Sequence, residues 1–589
     1  MLRLLRVFDA IDRRLTTTVF VVGAVQGLLL PAFTVASGWL AGSVTTHGSV
    51  TPPLIAIGVI WTVQRLLDPL NDELGNMLFR KVDEGLTQRV MRAIAEPPGL
   101  AHVEDPRTLD AAAQAEGALT GTTPGLAARY FSYLVKRRVW GACSLLIVMT
   151  FKWWLVPLLL VAYAVGFRFT RWHYYEVTIV MHGKTERLRR AYYLRTLALT
   201  HTVAKETRVF GLAPWFVDRY RSSWTDVMQD VWDKRREGWA RITSVAALLA
   251  ITEGYALSVV ARDAAHGQLS VRAAVTVAQA LVAAAALAEF TDFHWAINES
   301  LVALEKLEEL ETTAHDAIDA LHGDRTAGDL PTKTITFEGV RFGYPTRDTL
   351  VFDGLDLEIE VGRSLAIVGE NGAGKTTFVK LLARLYDPIG GRILVDGVDL
   401  RELDPTSWRQ RIAPVFQDYT QFELPAYDNV AFGALRNRDD ADGVHWAGTL
   451  TGATAVIERL ADGWDTPLSR AFTGGTQLSG GEWQRLALAR AMFAVRSGAP
   501  ILILDEPTAA MDVRGEAEVY ERFLELTKGV TTIVISHRFS TVRRADRIVV
   551  VEHGRVVEDG THDELVAHGQ RYAEMYALQA SRFQDASNS

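Results

Sequence analysis

The sequence predicts a membrane-embedded bundle of six helices followed by a soluble α/β domain. Two observations support this two-part fold. The chain has 589 residues, of which 48% are hydrophobic, and it is therefore too long for one domain and too apolar for an ordinary cytosolic protein. The apolar runs crowd the first half, whereas the second half has the mixed composition of a soluble domain. We predict a membrane domain over residues 1–321, a linker over 322–333 and an α/β domain over 334–589.

Four apolar runs are long enough to cross a bilayer as single helices. They cover approximately residues 17–44, 52–70, 244–260 and 271–290. After the last of these runs, Leu301, Leu304, Leu307 and Leu310 recur at steps of three between acidic residues. This spacing predicts an amphipathic helix over 298–321 that extends the sixth span into the cytoplasm.

The run over residues 139–167 is ambiguous because Lys152 interrupts it. One tilted span would place the very basic segment 168–241 outside the cell, against the positive-inside rule. Two short spans with an outer turn near Lys152 keep that segment in the cytoplasm. We therefore predict six spans in a multi-pass protein of the plasma membrane, with both termini and the α/β domain cytoplasmic.

Net charge and cysteine content each narrow the interpretation. The formal net charge of −8 argues against a nucleic-acid partner. The one cysteine, Cys143, excludes an intramolecular disulfide and lies inside an apolar run.

The segment GENGAGKTT, residues 369–377, has the context of a phosphate-binding loop. It lies between the apolar run 364–368 and the helix-like run 378–382. Glycines let backbone amides close round a phosphate, and the following helix points its positive end there. Lys375 supplies a cation and Thr376 a hydroxyl ligand for Mg²⁺. The sequence therefore predicts ATP and Mg²⁺ as cofactors, with loop contacts from Gly369, Asn371, Gly372, Gly374, Lys375, Thr376 and Thr377.

A second apolar run, residues 501–504, ends in Asp505 and Glu506. The first acid is suited to hold Mg²⁺ and the second to polarise an attacking water as a general base. An acidic pair after a strand is common, but its position after a phosphate-binding loop makes this interpretation specific.

A further segment, LSGGE at 478–482, opens a helix and offers a second N-terminus able to bind an anion. Two such termini on one domain are explained by head-to-tail pairing of two copies. Each ATP then lies between the loop of one copy and Leu478, Ser479, Gly480, Gly481 and Glu482 of the other.

Over nearly its whole length the chain resembles a half-transporter of the ATP-binding cassette family, with the exporter-type (type IV) arrangement of six spans fused to one nucleotide-binding domain. The resemblance implies that Tyr344 in RFGYP stacks on adenine and that Gln417 contacts Mg²⁺ and water. It also implies that Asp512 in AAMD acts across a dimer and that His537 contacts the γ-phosphate.

Two positions depart from the pattern of the family. Glu482 stands where the signature usually closes with glutamine, and the preceding segment RAFTGGTQ lacks the acidic pattern of many multidrug exporters. Because Glu506 and His537 are both present, the chain resembles a catalytically complete half. A homodimer is the simplest assembly, and a heterodimer with a related half is the alternative.

Two cytoplasmic segments are predicted to couple the ATPase to the membrane domain. They cover approximately 104–115 and 205–220, where Pro106 and Pro214 suit the first turns of short helices. The alternative interpretation is that both are merely exposed amphipathic segments. In the coupling interpretation, ATP binding closes the two nucleotide-binding domains and turns the spans outward.

Polar residues inside the spans are costly and therefore mark a substrate pathway or hydrogen bonds between helices. The pathway candidates, with an aromatic stacking surface added, are Gln26, Trp61, Gln64, Glu253, Gln279 and Glu289. The sequence does not distinguish among a drug, a lipid, a peptide and a secondary metabolite as the substrate. ATP-driven export is the favoured function, import by the same fold the second, and a soluble ATPase that acts on DNA the third.

Overall fold

A computed structural model describes residues 2–117, 123, 125–182, 185–200, 203–506, 529–536 and 539–578. The chain forms two compact units. The first comprises Met1–Ala95 and Pro106–Ala314, and the second comprises Glu96–Asp105 and His315–Ser589. The boundary between them falls inside a helix rather than in the predicted linker.

The described part of the first unit is built from helices alone. In chain order, and including the short helix α3 that belongs to the second unit, they are α1 (Leu2–Thr45), α2 (Thr51–Ala95), α3 (Ala101–Glu104), α4 (Pro106–Ala115), α5 (Leu126–Phe151), α6 (Leu155–His182), α7 (Thr185–Leu199), α8 (Ala204–Val209), α9 (Ala213–Ala265), α10 (Val271–Ala284) and α11 (Asp292–Ala320). Helix α1 packs against α2, α5 and α10, while α6 packs along α9.

Among the described helices, four are long and apolar enough to span a membrane on their own. They contain Arg3–Thr45, Thr51–Ala95, Leu155–Val180 and Ala213–Ala265. The other two predicted spans lie in α5, which carries Lys136, Arg137 and Arg138 in its middle, and in the shorter helix α10. Length and hydropathy therefore support a multi-pass membrane protein without by themselves giving the count of six.

The ambiguous run 139–167 contains two helices. Helix α5 ends at Phe151 and α6 begins at Leu155, which confirms the predicted turn near Lys152. The ammonium of Lys152 lies 3.0 Å from Oδ2 of Asp263, at the end of α9, and this ion pair ties the turn to its neighbour.

The amphipathic helix is confirmed as α11, with Leu304, Leu307 and Leu310 buried. The prediction that it continues the sixth span is wrong, because α10 ends at Ala284 and only a 3₁₀ turn, Ala285–Leu287, precedes the break. In a continuous helix the Thr291 N–H would bond to the Leu287 carbonyl. Arg138 Nη1 donates to that carbonyl at 2.6 Å instead, and the Thr291 N–H donates to His294 Nδ1 at 3.2 Å.

The second unit contains two sheets. A four-stranded antiparallel sheet has the order β2-β1-β4-β5, and a six-stranded sheet has the order β10-β9-β3-β8-β7-β6, in which only the pairing of β10 is antiparallel. The strands are β1 (Thr334–Phe342), β2 (Phe352–Glu360), β3 (Ser364–Val368), β4 (Gly390–Val395), β5 (Val398–Asp399), β6 (Ile412–Val415), β7 (Ile501–Asp505), β8 (Thr531–Ile535), β9 (Arg547–Glu552) and β10 (Arg555–Gly560).

Helices cover the larger sheet, as expected for parallel strands that are buried on both faces. They are α12 (Lys375–Leu382), α13 (Pro405–Arg409), α14 (Ala426–Ala431), α15 (Ala441–Leu450), α16 (Thr454–Ile457), α17 (Gly480–Arg496), α18 (Phe539–Val542), α19 (His562–His568) and a last helix, α20, at 571–578. All five residues of β7 and of β8 are buried. The carboxyl ends of β3, β7 and β8 therefore meet at one edge of the sheet, where the predicted ATP residues begin.

A short piece of the first long loop, which was predicted to be cytoplasmic, belongs to the second unit. The N–H of Leu100 donates to the Leu385 carbonyl at 3.1 Å, and Arg409 Nη2 donates to the Pro98 carbonyl at 2.6 Å. The anchored segment is Glu96–Asp105, whereas nearly all of the predicted coupling segment 104–115 lies in α4 of the first unit. The predicted segment begins at Glu104, which lies 4.0 Å from the Lys380 ammonium, whereas the main-chain bonds are made earlier, at Pro98 and Leu100.

The packing of α1 on α5 provides a test of the first unit. A Cβ added at Gly27 would lie 2.7 Å from the Lys136 carbonyl oxygen, whereas one added at Gly58 in α2 would meet nothing within 4 Å. Small residues let membrane helices approach closely. We expect Gly27→Val to destabilise the chain by about 1–3 kcal/mol through overpacking. The measurement is the midpoint of thermal unfolding in detergent, with Gly58→Val as the matched helical control. Equal shifts for the two variants would contradict the α1–α5 contact.

Candidate functional site

The loop between β3 and α12 requires glycine at two positions for backbone reasons. Gly372 and Gly374 have φ of 88° and 98°, in the left-handed region that glycine adopts without strain. A Cβ at Gly374 would also lie 2.8 Å from the ring of Phe352. At Gly369 an added Cβ would meet the Val551 carbonyl oxygen at 2.3 Å. Glycine at these positions therefore lets the loop backbone turn sharply, so that its amide groups can face a ligand.

Lys375 begins α12 and is almost fully buried. Its ammonium donates to the carbonyls of Gly369 and Glu370, both at 2.9 Å. Burial lowers the pKa of Lys375, while the nearby carboxylates of Glu506 and Asp505 oppose that shift. The ammonium of Lys375 therefore lies inside the phosphate-binding loop, and the carboxylates of Asp505 and Glu506 favour its charged form.

Asp505 ends β7 and is only 1% exposed. Burial raises its pKa to about 6, although a hydrogen bond with Thr376 acts in the opposite direction. Within the described part of the chain, its Oδ2 atom has no hydrogen-bond partner. A buried carboxylate oxygen without a partner is costly and is suited to a cation.

Glu506 follows in an unusual backbone conformation. Its φ is 50°, a left-handed value that costs a residue with a side chain about 1–3 kcal/mol. Its N–H donates to the Ile535 carbonyl at 2.8 Å, which ties it to β8. Its Oε2 atom accepts a bond from Gln417 Nε2 at 3.1 Å. The strained backbone therefore turns the Glu506 carboxylate towards Gln417, two residues after β6.

These groups line one cavity of about 590 Å³ within the second unit. Most of the predicted ATP and metal residues meet there. The lining residues are Tyr344, Arg347, Val351, Asn371, Gly372, Gly374, Lys375, Thr376, Thr377, Gln417, Asp505 and Glu506. Sequence reasoning missed Arg347 and Val351, although Arg347 lies only three positions after Tyr344 and supplies a second cation. The cavity combines two cations, two acids and backbone amides, as a site for a polyphosphate requires.

Four neighbours fix Tyr344. Its hydroxyl and the Thr377 Oγ1 are hydrogen-bonded at 3.0 Å. Its ring makes edge-to-face contacts with Phe342 and Tyr386, with centroids 5.2 and 5.5 Å apart. The ammonium of Lys380 lies 5.2 Å from the Tyr344 ring centre. An ordered aromatic ring beside the phosphate loop is the arrangement that the adenine prediction needs.

The LSGGE segment lies elsewhere on the domain, and none of its residues lines the cavity. Ser479 caps α17, and Glu482 completes a capping box, since its carboxylate accepts from the Ser479 N–H at 2.8 Å. These bonds with Ser479 lower the pKa of Glu482. The glutamate that departs from the family pattern therefore stabilises the helix N-terminus. Tyr419, two residues after Gln417, donates to the Gly480 carbonyl at 3.1 Å and connects the two regions.

The remaining predicted residues divide into two groups. Asp512 and His537 lie outside the described residues. The six pathway candidates do not line the cavity of about 940 Å³ in the first unit, whose walls include Arg171, Trp172 and Asn298. Gln26 is buried and its Nε2 donates to Asp68 at 3.3 Å, and Glu289 pairs with Arg137. Trp61 and Gln279 are exposed, and Gln64 and Glu253 are half-buried.

Comparison with known proteins identifies the domain. Residues 352–509 match the ABC transporter family. The second unit is therefore similar to the nucleotide-binding domain of ATP-binding cassette transporters. Two proteins named ATP-dependent lipid A-core flippase are similar to it. The one from Chromohalobacter salexigens is 43% identical over 43% of this chain and 42% of its own length. The one from Ralstonia nicotianae is 41% identical over 50% of this chain and 48% of its own length. The chain thus spans about half the length of the curated relatives it matches.

The fold extends the likeness to both units. A solved bacterial Atm1-family ABC exporter with ATP bound has a TM-score of 0.72 against the chain, at 24% identity. The match covers 96% of this chain and 99% of the other. The predicted fold class, a helical membrane domain fused to an α/β nucleotide-binding domain in the exporter arrangement, is therefore confirmed.

Because the Asp505 carboxyl group is buried, we expect that replacing it with a neutral group raises the free energy of unfolding at neutral pH. An aspartate whose pKa rises from 3.8 to about 6 on folding stabilises the folded state below pH 4 and loses that contribution as pH rises through 6. Asp505→Asn should therefore be more stable than the parent chain by about 3 kcal/mol at pH 8, and no more stable near pH 4. The measurement is thermal unfolding with EDTA and without nucleotide. A pH-independent difference would contradict the assignment.

Proposed function

We propose that the chain is one half of an ATP-driven exporter that works as a dimer in the plasma membrane. The observation that carries this proposal is the cavity in which Lys375, Asp505 and Glu506 meet, on a domain fused to long apolar helices. The family match and the exporter fold support ATP hydrolysis coupled to transport. Import is the weaker alternative, because the similar solved structure is an exporter and the relatives are named flippases.

Dimerisation follows from the separation of the two anion-binding regions. The LSGGE helix does not line the cavity of its own chain. A second copy related by a two-fold axis would supply its Ser479 helix N-terminus to each bound ATP, which makes both sites complete. A homodimer is therefore the simplest assembly, and a heterodimer with a related half is the alternative. Asp512 is proposed to act across this interface.

The residues of the cavity suit Mg²⁺. The Asp505 oxygen without a partner, the Thr376 hydroxyl and the side-chain oxygen of Gln417 are the hard oxygen ligands that this ion prefers. The ion would neutralise charge on the phosphates. Glu506 is the proposed general base, because Gln417 holds its carboxylate at the cavity. His537 is proposed to contact the γ-phosphate.

Coupling to the membrane domain is proposed to begin at Glu96–Asp105. This segment is bonded to the nucleotide-binding domain through Pro98 and Leu100, and it follows directly on the long helix α2. Closure of two nucleotide-binding domains would draw two such segments together and turn the spans outward. The positive-inside rule supports a cytoplasmic nucleotide-binding domain, because the basic segments of the helical unit then lie in the cytoplasm.

The names of the relatives support a lipid cargo. ATPase activity of the purified chain in nanodiscs, measured against lipid, cationic and peptide compounds, tests this proposal. Stimulation by lipids alone would support it. Stimulation by cationic or peptide compounds instead would contradict the lipid assignment. Absence of ATPase activity in a folded dimer would indicate a missing partner chain.

Glu506→Gln tests the proposed general base. The variant keeps the size and hydrogen-bonding of the side chain but cannot accept a proton. It should bind ATP with unchanged affinity and lose about 10²–10⁴-fold in hydrolysis rate. Phosphate release and nucleotide binding are measured separately in nanodiscs. The control is Glu402→Gln, which changes an exposed acid outside the cavity. Near-normal turnover by Glu506→Gln would remove Glu506 from the role.

A further inference from the structure

The last described helix reaches the phosphate-binding loop. Arg571, at the start of α20, forms an ion pair with the carboxylate of Glu370, the second residue of the loop. The same guanidinium lies 2.6 Å from Glu552 at the end of β9 and 3.2 Å from Glu574 within its own helix. Glu370 and Arg571 are 201 positions apart along the chain. Nothing in the loop motif itself predicts this contact.

Buried groups of β10 and α20 fix the position of the Arg571 backbone. Glu558 in β10 accepts bonds from the N–H groups of Arg571 and Tyr572, at 2.5 and 3.2 Å. Tyr572 is fully buried, and its hydroxyl is hydrogen-bonded with His562 Nδ1 at 2.7 Å. Its ring packs edge-on against Phe539. A guanidinium anchored in this way does not have to be ordered again each time it meets Glu370.

Glu370 links Arg571 to the lysine of the loop. The Glu370 carbonyl accepts a bond from Lys375 Nζ at 2.9 Å, while the Glu370 side chain faces Arg571. One residue therefore connects the last described helix with the cation expected to contact the phosphates.

The charge of Glu370 is a cost for binding ATP. Its side chain is 66% exposed, on a loop whose amides must attract a polyphosphate. Like charges repel each other, and the repulsion between exposed charges is greatest at low ionic strength. The guanidinium of Arg571, in its ion pair with Glu370, offsets part of that repulsion.

We propose that Arg571 is a charge-compensating residue for the ATP site. Its ion pair with Glu370 lowers the repulsion between that carboxylate and the phosphates of bound ATP. The inference rests on the proposed ATP-binding function and adds a contribution from the end of the chain to that site.

Equilibrium binding of fluorescent mant-ATP to the full-length chain in nanodiscs, with EDTA to prevent hydrolysis, tests the proposal. Arg571→Ala should weaken binding about two- to fivefold at low salt, the range expected for exposed charges. The loss should shrink at high salt because exposed charges are screened. Arg571→Lys should recover part of the affinity. Glu574→Gln, which changes a partner of Arg571 outside the loop, is the control and should bind normally.

The deciding variant is the double mutant. If repulsion by Glu370 causes the loss, Glu370→Gln in the Arg571→Ala background should restore binding to within about twofold of the parent chain, since the uncompensated charge is gone. If the helix has only a structural role, the double mutant stays as weak as Arg571→Ala, and the proposal is overturned. Failure of the parent chain to bind mant-ATP would instead contradict the proposed function itself.

Discussion

The burial of two charged side chains at the carboxyl edge of the larger sheet is the constraint on which the nucleotide-binding unit depends. Lys375 and Asp505 are buried there, and the half-buried Glu506 follows Asp505 directly. Removing such groups from water costs several kcal/mol each unless they meet opposite charge, hydrogen bonds or a ligand. The left-handed glycines, the strained backbone of Glu506 and the bond from Gln417 all serve to bring these charges together. A site built in this way is less stable without its ligand than a neutral core would be.

Contacts outside the cavity also stabilise the nucleotide-binding domain. Glu482 occupies a position where the family usually has glutamine, and it completes the cap of α17. Tyr419 connects the loop after β6 to that helix at Gly480. Residues Glu96–Asp105 bond to the nucleotide-binding domain through main-chain carbonyl and amide groups. Such main-chain contacts depend on backbone position rather than on side-chain identity, so a substitution in this segment is expected to act through its backbone.

Prediction from sequence succeeded where a structural feature depends on residues close together in the chain. The loop at 369–377, the acidic pair at the end of β7 and the turn near Lys152 are local patterns, and the structure has each of them. Prediction failed where a distant group changes the local preference. The apolar residues on both sides of Leu287 favour a continuous helix, but Arg138 from α5 takes the carbonyl that such a helix needs. The residues before α3 have no helical pattern, and yet Pro98 and Leu100 make the main-chain bonds to the nucleotide-binding domain.

By itself, the sequence determined that the protein has apolar membrane helices and an ATP-binding cassette, because hydropathy and loop chemistry are read over windows of a few turns. The tertiary structure alone decided which residues share one cavity with Lys375, that Glu96–Asp105 belongs to the second unit, and that Arg571 meets Glu370. These contacts join residues far apart in the chain. Their free energy is gained only after the sheet and its helices have closed the long loops between them, so no local pattern encodes them.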